Sequence, residues 1–252
     1  MKISIITVTY NAAATLERTL ESVAVQSFED KEHIIVDGAS SDGTIEMIDA
    51  YRMRTKDYSV LTISERDKGL YDAMNKGLEM AHGDFVVFLN AGDCLHDADV
   101  LKSLEARVES AESEVGVIYG DTDLVDIDQK RIGPRRLSPP ERLTWKSFRR
   151  GMLVCHQSFY ARRELCPKYD LRYRFSADVD WCIRVMKAAE ARGMSLIYIN
   201  KVLTDYLDEG MTTKNHKASL LERFDVMKRH YGLATTIAMH VWFAVRGFLR
   251  LP

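Results

Sequence analysis

Seven polar side chains sit at one kind of place in this 252-residue chain, just past the end of an apolar, β-rich run: Thr9, Asn11, Asp37, Glu65, Asp67, Asn90 and Asp93. Any one of them reads as a turn former or a helix cap. Gathered from four separate run ends, they offer the hydroxyl, amide and carboxylate groups that a crevice for a polar substrate needs. Other chemistries lack their residues. Thr7-Val8-Thr9-Tyr10-Asn11-Ala12 has no Gly-x-Gly-x-x-Gly turn, and no Gly-Lys-Ser/Thr or Gly-x-Ser-x-Gly segment occurs. A nicotinamide dehydrogenase, a P-loop kinase and a serine hydrolase are disfavoured accordingly. Cys94, Cys155, Cys166 and Cys182 form no Cys-x-x-Cys pair and have no histidine cluster beside them. They read as buried thiols of a reducing compartment, not as zinc ligands or a disulfide framework.

The elements that must position these residues follow from periodicity. Ile3, Ile5, Ile6 and Val8 mark a first strand, and Leu16, Leu20, Val23 and Ala24 mark one face of a helix. His33–Val36 and Tyr58–Ile63 read as strands, with a helix through Tyr51 between them. A third helix spans Tyr71–His82, and Phe85–Leu89 is a strand buried on both faces. This alternation predicts an α/β domain with a mainly parallel sheet flanked by helices. Beyond it, Val115–Tyr119 and Thr122–Ile127 read as two strands separated by Gly120-Asp121, and Pro134, Pro139 and Pro140 mark a loop region. Val154–Tyr160 and Leu196–Ile199 look like strands, Asp178–Ala191 like a helix, and residues 214–251 like two helices joined near Gly232.

Four blocks, in this order and spacing, resemble the family 2 glycosyltransferases: S-I-I-T-V-T-Y-N (Ser4–Asn11), I-I-V-D-G-A-S-S-D-G-T (Ile34–Thr44), S-E-R-D-K-G-L-Y-D-A-M-N-K-G (Ser64–Gly77) and G-D-F-V-V-F-L-N-A-G-D (Gly83–Asp93). His156–Ser158, Ser176–Trp181 and Asp208–Thr212 resemble the branch that builds bacterial surface polysaccharides, of colanic-acid type. The resemblance implies the GT-A fold and inverting transfer of a sugar from a nucleotide-sugar donor, a UDP- or other NDP-sugar. It implies that Thr9 and Asn11 line the nucleoside pocket, that Asp37 faces the base and that Asp67 flanks the nucleotide. Tyr71, Asn75 and Lys76 belong to the same motif, although Tyr71 and Met74 equally fit a helix packing face. It further implies Mg²⁺ or Mn²⁺ at an Asp-x-Asp motif, which reads Asn90-Ala91-Gly92-Asp93 here. Only Asp93 keeps its carboxylate, with Asn90 offering a carbonyl oxygen; one carboxylate plus donor phosphates can hold Mg²⁺. The general base corresponds to Asp178, with Ala177 where the family carries a glutamate, and Asp180 is its rival. His156 falls on the acceptor side, and Gly210-Met211-Thr212 with His216 near the pyrophosphate.

The formal charge is −2, from 35 basic and 37 acidic side chains, and gives no argument for a nucleic-acid partner. It averages two regions. Residues 130–150 hold eight basic residues and one acid, +7, leaving −9 for the other 231. That run is either a solvated face or, through Arg135 and Arg136, a surface for a lipid-linked or saccharide acceptor carrying pyrophosphate, or for an anionic membrane. Ile237–Val245 is apolar except for His240, which suits a helix packed on the domain or one lying in a membrane interface. The expected organisation is one domain over residues 1–230, with 1–95 binding the nucleotide-sugar and 96–230 the acceptor, then a C-terminal helix over 231–252. No run is long enough to span a membrane; a cytoplasmic protein, peripheral at most at the inner face, is expected. The rival reading is a non-catalytic nucleotide-sugar-binding or scaffold protein of the same fold.

Overall fold

The computed structural model describes residues 1–208 and 216–248. Its sheet starts from β1 (Ile3–Thr9), which pairs in parallel with β2 (Lys31–Asp37) and β4 (Phe85–Phe88); β3 (Ser59–Ser64) pairs in parallel with β2. Helices α1 (Leu16–Ala24), α2 (Thr44–Arg54) and α3 (Leu70–Met80) fill the connections. Alternate residues of β1 go to opposite faces. Ile6 and Val8 join Met74 of α3 in one core cluster, while Ile3 and Ile5 join Val87, Leu101 and Leu104 in another. Both faces being covered, β1, β2 and β4 are buried along their whole length. Inside this layer the His33 ring lies between Thr7 Oγ1 and Tyr51 Oη, each at 2.9 Å, and burial drives its pKa down to about 3.

The second half extends the same sheet. Its elements are β5 (Cys94–Leu95), α4 (Val100–Glu109), β6 (Val115–Val125), β7 (Arg131–Pro134), β8 (Phe159–Arg162), α5 (Ala177–Ala191) and β9 (Ser195–Leu207). The order is β3-β2-β1-β4-β8-β6-β9-β5, with β7 off β6, and β8, β5 and β7 run antiparallel to their neighbours. The nine strands and their helices have the expected α/β architecture, parallel through β3-β2-β1-β4 and mixed beyond. The two halves are also stitched by Asn75, whose side-chain amide exchanges hydrogen bonds with the Tyr169 backbone at 3.1 and 2.6 Å.

Three expectations are corrected. Residues 115–125 form one strand, not two. Gly120 is there because a β-carbon would lie 2.7 Å from Leu203 and from the Lys201 carbonyl, so it answers to close packing and not to a turn. Val154–Tyr160 is not a strand: His156–Ser158 is a 3-10 turn and pairing begins at Phe159. The last strand runs well past Ile199, to Leu207. The tail forms α6 (His216–Tyr231) and α7 (Leu233–Phe248), joined at Gly232 in a left-handed conformation (φ 82°). The Gly210-Met211-Thr212 segment lies outside the described residues, and so does the side chain of His216.

Candidate functional site

The register of the parallel strands places Thr9 beside Asp37 and Asp37 beside Ser64, so the carboxyl ends finish level and the loops beyond them share one edge. Asp37 is 1% exposed and accepts from the Ser40 N–H at 2.9 Å, from the Ser40 hydroxyl and from the Ser64 hydroxyl at 2.7 Å. Its carboxylate thus ties the loops after β2 and β3 together. Asn11 holds a left-handed backbone (φ 47°), which asparagine tolerates better than most residues. Its amide oxygen accepts from the Ser41 N–H at 3.0 Å and its own N–H donates to Ser40 Oγ at 2.8 Å. Asp67 accepts from the Gly69 N–H, and its other oxygen lies 2.7 Å from where a Gly38 β-carbon would stand. Tyr10 crowds the same glycine and is itself 65% exposed. In the sequence the only signal for Tyr10 is an aromatic residue set just past a strand end, inside the first motif block.

After β4 the chain makes a tight turn, with the Asp93 N–H donating to the Asn90 carbonyl at 3.0 Å. Asp93 is buried. It accepts from the Leu207 N–H at 3.0 Å and from Gln157 Nε2 at 2.8 Å, and Gln157 accepts from the Cys155 thiol. Burial outweighs those bonds and pushes the Asp93 carboxyl up to about 6. Gln157 belongs to the His156–Ser158 motif that the resemblance puts on the acceptor side, and its bond to Asp93 spans 64 residues.

Asp178 lies in the first turn of α5, partly exposed. The Tyr71 hydroxyl donates to its Oδ1 at 3.2 Å, and His156 Nδ1 stands 3.5 Å from Oδ2. Burial works against its charge, but His156 and the Arg223 guanidinium prevail and hold the carboxyl below the usual aspartate value. Arg223 comes from α6, where a charged residue looks like solvated surface in sequence. Tyr71 does both things its motif allowed: it reaches Asp178, and its ring stacks on Tyr169 at 5.3 Å.

Asp180 is not part of this cluster. It is 1% exposed and bonds Arg184 at 2.6 Å and His230 at 2.7 Å, closing the seam between α5 and α6. Arg135 also turns inward, donating to the Leu137 and Met152 carbonyls at 3.2 and 2.7 Å, beside a small cavity of about 150 Å³ that Asp121, Asp123 and Cys155 help line. Arg136 is exposed.

Seven buried side-chain atoms among the described residues have no hydrogen-bond partner: Thr9 Oγ1, Asn90 Oδ1, His156 Nε2, Arg223 Nε, Arg149 Nε, Tyr160 Oη and Tyr169 Oη. Orphaned buried polar atoms are rare because each costs about 1–3 kcal/mol. Here three belong to residues at the ends of β1 and β4 and in the turn beside Asp178, and a fourth to Arg223. Such a set suits a ligand rich in hydroxyl and phosphate groups. For a divalent cation, the unpartnered Asn90 Oδ1 and a carboxylate short of positive charge at Asp93 are a fitting pair. His96, Asp123 and Asp205 also bring ligand atoms within 4.8 Å of one another, but Arg131 already neutralises Asp123 from two nitrogens.

The family model for "Glycosyl transferase family 2" matches residues 4–169. The chain is 35% identical over 184 residues to the PGL/p-HBAD biosynthesis glycosyltransferase of Mycobacterium tuberculosis, covering 72% of this chain and 68% of that protein. It is 29% identical over 255 residues to an uncharacterized glycosyltransferase of the same organism, over 98% of this chain and 91% of that one. Among solved structures, S. aureus TarS 1–349 in complex with UDP-GlcNAc superposes with a TM-score of 0.70 at 20% identity. That match covers 94% of this chain but 66% of the TarS fragment.

Proposed function

The chain belongs to glycosyl transferase family 2, and from that premise we propose that it moves one sugar, with inversion, from a nucleotide-sugar to the hydroxyl of a lipid-linked glycan in surface polysaccharide assembly. The relatives named above are glycosyltransferases, and the TarS fragment was crystallised with UDP-GlcNAc. The observation that carries the reading is the set of orphaned polar atoms: Thr9 Oγ1 and Asn90 Oδ1 past the ends of β1 and β4, and His156 Nε2 and Arg223 Nε from the two residues that keep Asp178 ionised.

The nucleoside lies across the loops that Asp37 ties together, against Thr9 and Tyr10, with Asn11 and Asp67 shaping the walls. Asn90 and Asp93 would hold Mg²⁺ or Mn²⁺, which neutralises the departing diphosphate. Asp178 accepts the proton of the attacking hydroxyl. Kept ionised by His156 and Arg223 and held by Tyr71 at Oδ1, it would receive the proton at Oδ2, which His156 Nδ1 flanks at 3.5 Å and which keeps a lone pair for the acceptor. His156 Nε2, without a protein partner, is available to the acceptor or the donor. Arg135 and Arg136 sit on the acceptor side; Arg135 acts through the loop it braces, and Arg136 is free to meet an anionic group.

Thermal-shift measurement against a panel of nucleotide-sugars identifies the donor, since a ligand at a hundred times its Kd adds about 2.7 kcal/mol. Transfer from that donor to a lipid-linked acceptor then tests the reaction. Binding without turnover, with Mn²⁺ and acceptor present, would give the chain to a non-catalytic donor-binding role.

A further inference from the structure

α7 packs one side inward and leaves the other bare. Thr236 is buried, and the His240 ring meets Phe224 of α6 edge-on at 4.9 Å between centroids. On the outer side Leu233, Ile237, Val241 and Val245 follow at four-residue steps, with Trp242 beside them, each 42–59% exposed. Ala234 and Ala238 widen this stripe, and no charged residue interrupts Leu233–Val245. At a rise of about 1.5 Å per residue, Leu233–Val245 makes a face about 20 Å long. Scattered exposed apolar residues are ordinary; an unbroken row marks an interaction surface.

The neighbours of the stripe say what covers it. α7 packs against the 3-10 turn Trp145–Arg150, where Trp145 stacks on Tyr231 at 5.5 Å. That turn carries the exposed Lys146 and Arg150, with the exposed Arg142 just before it, and Tyr231, which it holds, is two residues before the stripe begins. A second copy packed in parallel on this face would set these cations against their own counterparts. An anionic lipid surface matches both the charge and the apolar row. No helix among the described residues is long and apolar enough to cross a membrane.

We propose that α7 docks the protein in the interface of an anionic bilayer, its Leu233–Val245 stripe among the acyl chains and Lys146 and Arg150 on the headgroups. The docking face is tied to the candidate base. Glu222 of α6 accepts from the N–H groups of Arg174, Phe175 and Ser176, and Ser176 Oγ donates to the Ser219 carbonyl. Asp178 is two residues further on. The helix pair that meets lipid therefore also holds the start of α5, where a lipid-borne acceptor has to arrive. The docking itself does not rest on the transfer reading.

The test is co-sedimentation of the full chain with phosphatidylcholine vesicles and with vesicles containing one quarter phosphatidylglycerol, with neither donor nor acceptor present. Binding to the anionic vesicles is expected to exceed that to the neutral ones by about tenfold or more. Ile237→Asp with Val241→Asp lowers it by about tenfold while circular dichroism and Tm hold; Val241→Ser with Trp242→Ser replaces that pair if the fold suffers. Lys146→Glu with Arg150→Glu removes the anionic preference. No sedimentation with anionic vesicles, or sedimentation indifferent to both apolar variants, overturns the proposal. So does a dimer in light scattering that Val241→Asp dissociates, since it gives the face to a second copy. Failure in this assay leaves the transfer reaction untouched, and loss of transfer leaves vesicle binding untouched.

Discussion

The Tyr71 hydroxyl donates to Asp178 Oδ1 across 3.2 Å, joining residues 107 positions apart. Helix α3 thus orients the carboxylate proposed to deprotonate the acceptor.

Asp178→Asn should lower kcat by about a thousandfold, within the usual range for loss of a general base. Donor affinity, read by titration calorimetry, should stay within about twofold. Transfer at the native rate would exclude Asp178 as the base.

The base must be ionised, so kcat falls as pH drops through the Asp178 pKa. His156 helps keep that carboxyl below its ordinary value against the effect of burial. In His156→Gln the acid limb of the pH profile should therefore move to higher pH. Tyr71→Phe should move it the same way, because a hydrogen bond to the carboxylate is lost. A profile that merely drops in height would assign both residues to folding alone.

Asn90 and Asp93 are proposed to hold the metal. Chelation should weaken donor binding about tenfold or more, and in Asp93→Asn the difference with and without Mn²⁺ should shrink to within about twofold. Equal metal dependence in that variant would move the ion elsewhere, His96, Asp123 and Asp205 being the next place to look.

His33 is neutral in the fold, its pKa driven by burial to about 3, whereas in the unfolded chain it titrates near 6.5. Below pH 6.5 the unfolded state therefore binds the extra proton, and stability falls by about 1.4 kcal/mol per pH unit until the folded pKa is reached. Asp93 opposes this below pH 6, because its raised pKa lets the folded state take up a proton first. Urea unfolding from pH 7 to 5 should separate the two: His33→Gln loses its share of the acid destabilisation. Parallel pH curves for variant and parent would refute it.

Asp180→Ala leaves His230 and Arg184 without their buried partner. A cost of about 3 kcal/mol, roughly 6–12 °C in Tm at this size, is expected with donor affinity unchanged. Loss of transfer with full stability would return Asp180 to the site.

The first four strands were legible from short apolar stretches bounded by turn residues: Ile3, Ile5, Ile6 and Val8 in β1, Ile34–Val36 in β2, Val60, Leu61 and Ile63 in β3, and all of β4. The level finish of Thr9, Asp37 and Ser64 follows from their parallel pairing. The turn at His156 was not legible: Val154 and Cys155 are apolar because they are buried, and burial looks the same in a turn as in a strand. Two residues apart on a helix, Asp178 and Asp180 must face differently, but which of them meets the crevice depends on α6, a tertiary fact. Arg223 reaches the site from a distant helix, for which local pattern has no sign, and the Gln157 motif does not say that its partner is Asp93.

The bond from the Leu207 N–H to Asp93 has a consequence for the order of assembly. β5, immediately after Asp93, finds its partner only in β9, the final strand. A chain emerging from the ribosome can therefore form the β1–β4 layer early, yet the turn at Asn90–Asp93 stays unfinished until residue 207 has emerged. Truncated or half-made copies would carry the first four motif blocks without a completed Asn90–Asp93 turn. Competence for chemistry would arrive last and all at once.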